Sequence, residues 1–245
     1  MTTKVAAPTA DTVETTMSAQ KLAGHCIGLF QKIADGSWNS EHWHALHEGR
    51  DPFAPPRTIQ ADVQSKVEWW RNHYQRLYRM NPDFSNLVIP KRQVGFDRLV
   101  IVAKGLTHNR WIEVARTIHE VSLYNDDLDA VVTKNDRDSK ERSYGIWIRD
   151  RQEADEELMN KSANVLATEG VKGITLKERL VAGTGYLFQE YCHMDVENVT
   201  LCSSSRSSDG DVPSVYWDAV YHYLHVDWDF VGSRNSGLRA RSVVS

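Results

Sequence analysis

The chain has 245 residues, a formal net charge of −4 and 25% charged residues. That is long enough for one large domain or two small ones, and too acidic for a dominant phosphate-binding surface. Hydrophobic residues make up 41%, which separates the chain from disordered sequences, and no run of about 18 apolar residues predicts a membrane-spanning helix. The three cysteines, Cys26, Cys192 and Cys202, form no CxxC pair. They predict reduced thiols in a cytoplasmic protein rather than a disulfide scaffold or zinc ribbon. The first twenty residues lack a basic segment followed by an apolar core, so no signal peptide is expected, and export by a route that needs none stays open. Lys, Glu, Gln and Met occur 38 times, yet not once in the last 43 residues, where uniform scatter would place about seven.

In chain order, residues 1–15 read as an arm. A helix is predicted over Thr16–Ile33, with Leu22, Cys26, Leu29, Phe30 and Ile33 at helical spacing. A short helix over Glu41–His47 and a stiff proline-rich connector, Asp51–Pro56, follow. The strongest periodicity predicts a long helix over Gln60–Arg79, with Val63, Val67, Trp70, Tyr74, Leu77 and Tyr78 on one stripe, ended by Asn81-Pro82. Leu99–Ala103 reads as a buried strand, and Thr107 as the N-cap of a helix over Trp111–His119. Thr133–Ser143 reads as a loop, Tyr144–Arg149 as a strand, and Gln152–Ala167 as a helix. Thr175 caps a further helix that runs to Tyr191.

From Val199 the pattern is all β. Val215, Trp217, Leu224, Val226 and Trp228 alternate with polar residues, so they belong on the inward face of a sheet. Leu238 to Val244 reads as a last strand. The outward strand positions and loops are Ser207, Asp211, Ser214, Tyr216, Asp218, Ala219, Tyr221, His222, Tyr223, His225, Asp227, Asp229, Phe230, Ser233, Arg234, Asn235 and Ser236. Tyrosine supplies broad contact at low entropic cost, and small polar residues adapt their hydrogen bonds, as in antibody loops. These residues are the candidate ligand-binding surface.

The absent residue types sharpen that reading. A codon with C fixed in its third position and free first and second bases cannot encode Lys, Glu, Gln, Met or Trp. Four of the five are missing after Cys202, and the fifth occurs there only as Trp217 and Trp228, both predicted inward. Adenine-directed randomisation of AAC codons leaves this pattern.

The chain resembles the variable proteins of diversity-generating retroelements, most closely those of small-genome candidate-phylum bacteria. The residues that carry the resemblance are Phe96–Gly105, Asp126–Asp129, Ile148–Leu158, Gly173–Leu176, Val199–Cys202, Ser205-Arg206, Ser208–Gly210, Val212-Pro213 and Leu238–Ser245. It covers roughly residues 85–245. It implies an α+β chain with a C-type-lectin-like fold over 85–245, a helical N-terminal extension over 1–84, and a variable region over about 203–245. It also implies pairing of the first and last strands, here Tyr144–Arg149 with Leu238–Val243. The function implied is display of a hypervariable surface to a ligand, most simply a protein. No catalytic residue, metal or cofactor is assigned. Neither nucleic acid nor membrane insertion is expected, and a homo-oligomer stays open.

Other clusters have structural readings. His42, His44 and His47 lack an HExxH pattern and read as an amphipathic segment. Asp126, Asp127 and Asp129 read as a turn or helix cap, and Arg149, Asp150, Arg151 and Glu153 as structural ion pairs. Trp69, Trp70, Tyr74 and Tyr78 read as a packing stripe. The rival function is a metal-dependent or oxidative enzyme of the same fold, related to formylglycine-generating enzymes, that would use the histidines or Cys192 and Cys202.

Overall fold

A computed structural model describes residues 59–245 and, before them, Trp38 and His42. The chain divides into two compact units, Met1–Pro56 and Arg57–Ser245. In the first, the rings of Trp38 and His42 stack with centroids 5.4 Å apart. His42, within the expected Glu41–His47 helix, is helical; the rest of that helix, the helix expected over Thr16–Ile33, the proline-rich connector, Cys26, His44 and His47 lie outside the described residues.

In the second unit, α1 (Ile59–His73) passes into a π-helical turn (Tyr74–Tyr78), closed by Arg79 in the left-handed region at φ 56°. The aromatic stripe is buried as predicted, with Val67, Trp70, Tyr74 and Tyr78 in the core. It docks on β1 (Arg98–Val102), where Trp70 Nε1 donates to Leu99 O at 2.9 Å and the Tyr74 hydroxyl donates to Ile101 O at 2.7 Å. These bonds satisfy polar atoms that burial would otherwise strand. The compact unit therefore begins at Arg57, upstream of the boundary expected after residue 84.

Thr107 caps α2 (His108–Ala115) by accepting from Arg110 N at 3.1 Å. The chain then enters β2 (Glu120–Leu123), an unpredicted strand that begins just after the end of the expected helix. Asp127 caps α3 (Leu128–Val131), and β3 (Val132–Asn135) occupies the start of the predicted loop. β4 (Tyr144–Ile148) pairs antiparallel with β1, and both strands are buried throughout. The helix expected over Gln152–Ala167 is instead a 3₁₀ turn (Glu156–Leu158) and the short α4 (Ala163–Thr168). Tertiary bonds override its helical propensity. The Glu153 carboxylate accepts from Val196 N and Asn198 N, both at 3.0 Å, and Asp155 N donates to Ala240 O at 3.0 Å.

Thr175 and Glu178 close a capping box on α5 (Leu176–Glu190). Glycine at 185 lets α5 approach α1, because a Cβ there would lie 2.5 Å from the Trp70 ring. The remaining strands are β5 (Val199–Leu201), β6 (Ser205–Ser207), β7 (Val212–Asp218), β8 (Tyr223–Asp229) and β9 (Leu238–Ala240). They form a five-stranded sheet of order β2-β8-β7-β5-β9 and a β3-β6 pair. The architecture is a mixed α+β arrangement. No helix among the described residues is long and apolar enough to cross a membrane.

The last segment corrects one expectation. Leu238–Ala240 pairs in parallel with β5, not with β4. The chain then changes partner. Ser242 bridges Gly173, and Val244 bridges Trp147 antiparallel, with backbone bonds of 2.9 and 3.0 Å. Arg241 sits between these partners, 1% exposed. Its Nη2 donates to Asp195 Oδ1 at 2.5 Å and Gln152 O at 2.6 Å, and its Nη1 donates to Arg151 O at 3.1 Å. Asp195, fully buried, also receives Arg179 Nε at 2.7 Å and the Thr200 hydroxyl. Burial opposes its ionisation, but the two guanidinium groups hold its carboxyl below the ordinary range.

Asp195→Ala leaves two buried arginines facing each other and is expected to destabilise the fold by about 3–5 kcal/mol. Equilibrium urea unfolding of the full chain measures this, and a loss under about 1 kcal/mol would show the triad to be dispensable.

Candidate functional site

β7 and β8 divide the predicted inward and outward sets. Val215, Trp217, Leu224 and Val226 are buried, and Trp228 is partly buried against the same core. Trp217 lies flat on His193, with centroids 3.4 Å apart and planes 5° from parallel, and His119 meets both rings edge-on. Burial lowers His193 to about 4, with His119 and Arg179 contributing, so it is neutral at physiological pH.

On the other face, antiparallel register sets Asp218 beside Tyr223, Tyr216 beside His225, and Ser214 beside Asp227. The Tyr216 and His225 rings stack at 4.6 Å, and Tyr223 meets His225 edge-on at 6.1 Å. Tyr216, Asp218, His225, Asp227 and Asp229 are half-buried, whereas Tyr223 is exposed. Ala219, Tyr221 and His222 form an exposed hairpin turn, in which Asp218 Oδ1 accepts from Val220 N at 2.8 Å and Tyr221 N at 3.0 Å. His222 takes φ 60° there, a conformation to which histidine and asparagine adapt better than most residues. Phe230 is exposed beyond β8, and Ser233, Arg234, Asn235 and Ser236 occupy the loop to β9.

Two predicted surface residues are not on the surface. Ser214 is 2% exposed, between Leu201 and Asp227 in neighbouring strands. Ser207 is 7% exposed, and its Oγ accepts from Asp209 N at 3.2 Å and Asp211 N at 3.0 Å, closing the β6–β7 turn. The half-buried Asp211 lies in that turn rather than on a strand face. For Ser214 the cause is a second small core. Leu201, Val212, Leu238 and Ala240 pack with Leu158, Ala163 and Leu166, covering the outer face toward β5 and β9. The open part of that face therefore spans β8, the far half of β7 and β2, a strand beyond the predicted surface.

The face is acidic. Burial lifts the Asp229 carboxyl above its ordinary range, and the charges of Asp227 and Asp211 add to the lift against the Ser214 hydrogen bond. A cavity of about 200 Å³ lies elsewhere, against α4, β3 and β6, lined by residues that include Lys134, Asp136 and Arg206.

The other clusters have structural roles. Asp127 caps α3, and Asp129 accepts from His108 N at 2.8 Å and Asn109 N at 3.0 Å. Arg149 pairs with Asp155 at 2.6 Å, Arg98 with Asp150 at 2.6 Å, and Arg151 with Glu157 at 2.9 Å. Cys202 is fully buried, and burial pushes its thiol well above the ordinary range, so it offers no ready thiolate. No group of three or more metal-ligating side chains occurs among the described residues. Neither family models, nor curated proteins, nor solved structures give a match to this chain.

Burial also lowers His73 to about 4, below its ordinary 6.5. The unfolded chain takes up protons at His73 and His193 near pH 6.5, whereas the folded chain resists until about pH 4. Stability is therefore expected to fall as pH drops through that window and to gain nothing from these groups above it. Urea midpoints across the window test this, and His193→Phe, which keeps the stack without the titration, is expected to flatten the decline.

Proposed function

We propose that this chain is a ligand-binding protein, not an enzyme, displaying a retroelement-diversified surface on a C-type-lectin-like scaffold. The observation that carries this reading is a coincidence of two boundaries. Lys, Glu, Gln and Met vanish after Cys202, and from there the chain builds the hairpin that presents an open face. Tryptophan, the fifth residue type an AAC-derived codon cannot reach, occurs in that stretch only at positions 217 and 228, both on the inner face.

The lectin-like layout draws support from the antiparallel bridge of Trp147 to Val244, which brings the chain's last residues to β4. The division of faces supplies the mechanism. Trp217 and its neighbours bury the apolar area that holds the sheet, while Tyr216, Tyr221, Tyr223 and Phe230 offer aromatic anchors outside it. His222, His225, Asp227, Asp229 and Arg234 set the polarity around them. Substitutions at the exposed outward positions leave the packing intact, so recognition changes without refolding.

Two experiments test this. Sequencing the source locus is expected to find a reverse-transcriptase gene and a near-copy of the DNA for the tail that differs at adenines; absence of both removes the diversification reading. Separately, Tyr216→Ala and Tyr223→Ala are expected to shift stability by about 0.5 kcal/mol or less, and Trp217→Ala to cost about 3–5 kcal/mol. The reverse order in urea unfolding overturns the assignment of faces.

A further inference from the structure

We infer that the binding face extends beyond the tail onto β2, where Glu120, Ser122 and Tyr124 form a fixed margin, and that in this chain the face takes a protein segment bearing lysine or arginine. This rests on the reading of the face as a ligand surface.

Register carries the first half. β2 is an outermost strand of the five-stranded sheet, and its parallel pairing sets Glu120 beside Tyr223 and Ser122 beside His225. Residues paired across neighbouring strands share a face, so these two side chains extend the Tyr223–His225 row. The alternation shows in burial, since Glu120 is exposed and Val121 is buried. Tyr124 continues the strand by one bond, donating its N–H to Val226 O at 3.4 Å, and is 79% exposed. All three residues precede Ser203, outside the stretch with restricted composition. Changes in the tail therefore leave them in place, and a ligand meets the same edge whatever the hairpin carries.

Charge carries the second half. Glu120, Asp218, Asp227 and Asp229 lie on the face that this margin borders. Among the described residues none of them forms an ion pair with a lysine or arginine. The tail itself contains no lysine. A predominantly acidic face beside exposed aromatic rings, with Arg234 in the adjoining β8–β9 loop as a counter-charge, is complementary to cationic side chains, whose stems cover the rings while their heads meet the carboxylates. The same sign repels nucleic acid and anionic lipid.

The test is selection of short random displayed peptides on the full chain, followed by affinity measurements on the enriched peptides. Enriched peptides are expected to carry a surplus of Lys and Arg. Glu120→Gln and Tyr124→Ala are each expected to weaken them by roughly 5–10-fold, and Glu141→Gln, in the β3–β4 loop, to leave affinity unchanged and so exclude general attraction to an acidic protein. Neutral or acidic peptides, no enrichment, or tighter binding of a single-stranded DNA oligonucleotide overturns the proposal. Insensitivity to Glu120→Gln and Tyr124→Ala removes the β2 margin alone, provided that Tyr223→Ala still weakens binding. If Tyr216→Ala and Tyr223→Ala are also without effect, the reading of the face as a ligand surface falls with it.

Discussion

One buried carboxylate organises this unit. Asp195 lies between Arg179 of α5 and Arg241 beyond β9, and also receives the hydroxyl of Thr200 in β5. Taking three charges out of water is costly, and that cost is offset only while every partner is present. The arrangement therefore behaves as all-or-none. It brings to one point the chain as it approaches the tail at Thr200 and the end of the tail at Arg241. Two further buried carboxylates repeat the device. Asp155 accepts from Arg149 and from Ser242, and Glu178 accepts from Arg137 and the Tyr144 hydroxyl. All three acids precede Ser203, and two of them, Asp195 and Asp155, hold the tail through Arg241 and Ser242.

A segment clamped at both ends can change between them at little cost, but not everywhere. Val212 belongs to the second core, Ser214 is enclosed by neighbouring strands, and Ser207 ties a turn. Substitution there disturbs packing or strands backbone donors, whatever the codon permits. The open surface of the tail is narrower than the compositional stretch, limited to the hairpin turn, the β8 row, the far half of β7 and the β8–β9 loop. On one side it meets the second core, on the other strand β2, which lies outside the compositional stretch.

Local signals in the sequence were reliable where short-range physics decides. The stripe from Val67 to Tyr78, the Thr107 cap and the Thr175–Glu178 capping box each depend on residues within about three helical turns. Period-two alternation likewise separated Trp217 from Tyr216. The failures share the opposite character. β2 and β3 are each four residues long and exist because distant strands pair with them. The helical pattern after Gln152 gave way because Glu153 and Asp155 found partners more than forty residues away. Ser214 alternates as an outward residue should, and tertiary packing covers it.

The sequence by itself determined the two-faced hairpin, the composition boundary at Cys202 and the aromatic stripe of α1, since periodicity and residue type are local properties. Tertiary structure alone decided which strands are neighbours, that Leu238–Ala240 joins β5 while Val244 reaches β4, and which outward residues meet solvent. Those outcomes depend on buried charges that pair only once the chain has folded, and on which element happens to cover each part of a face.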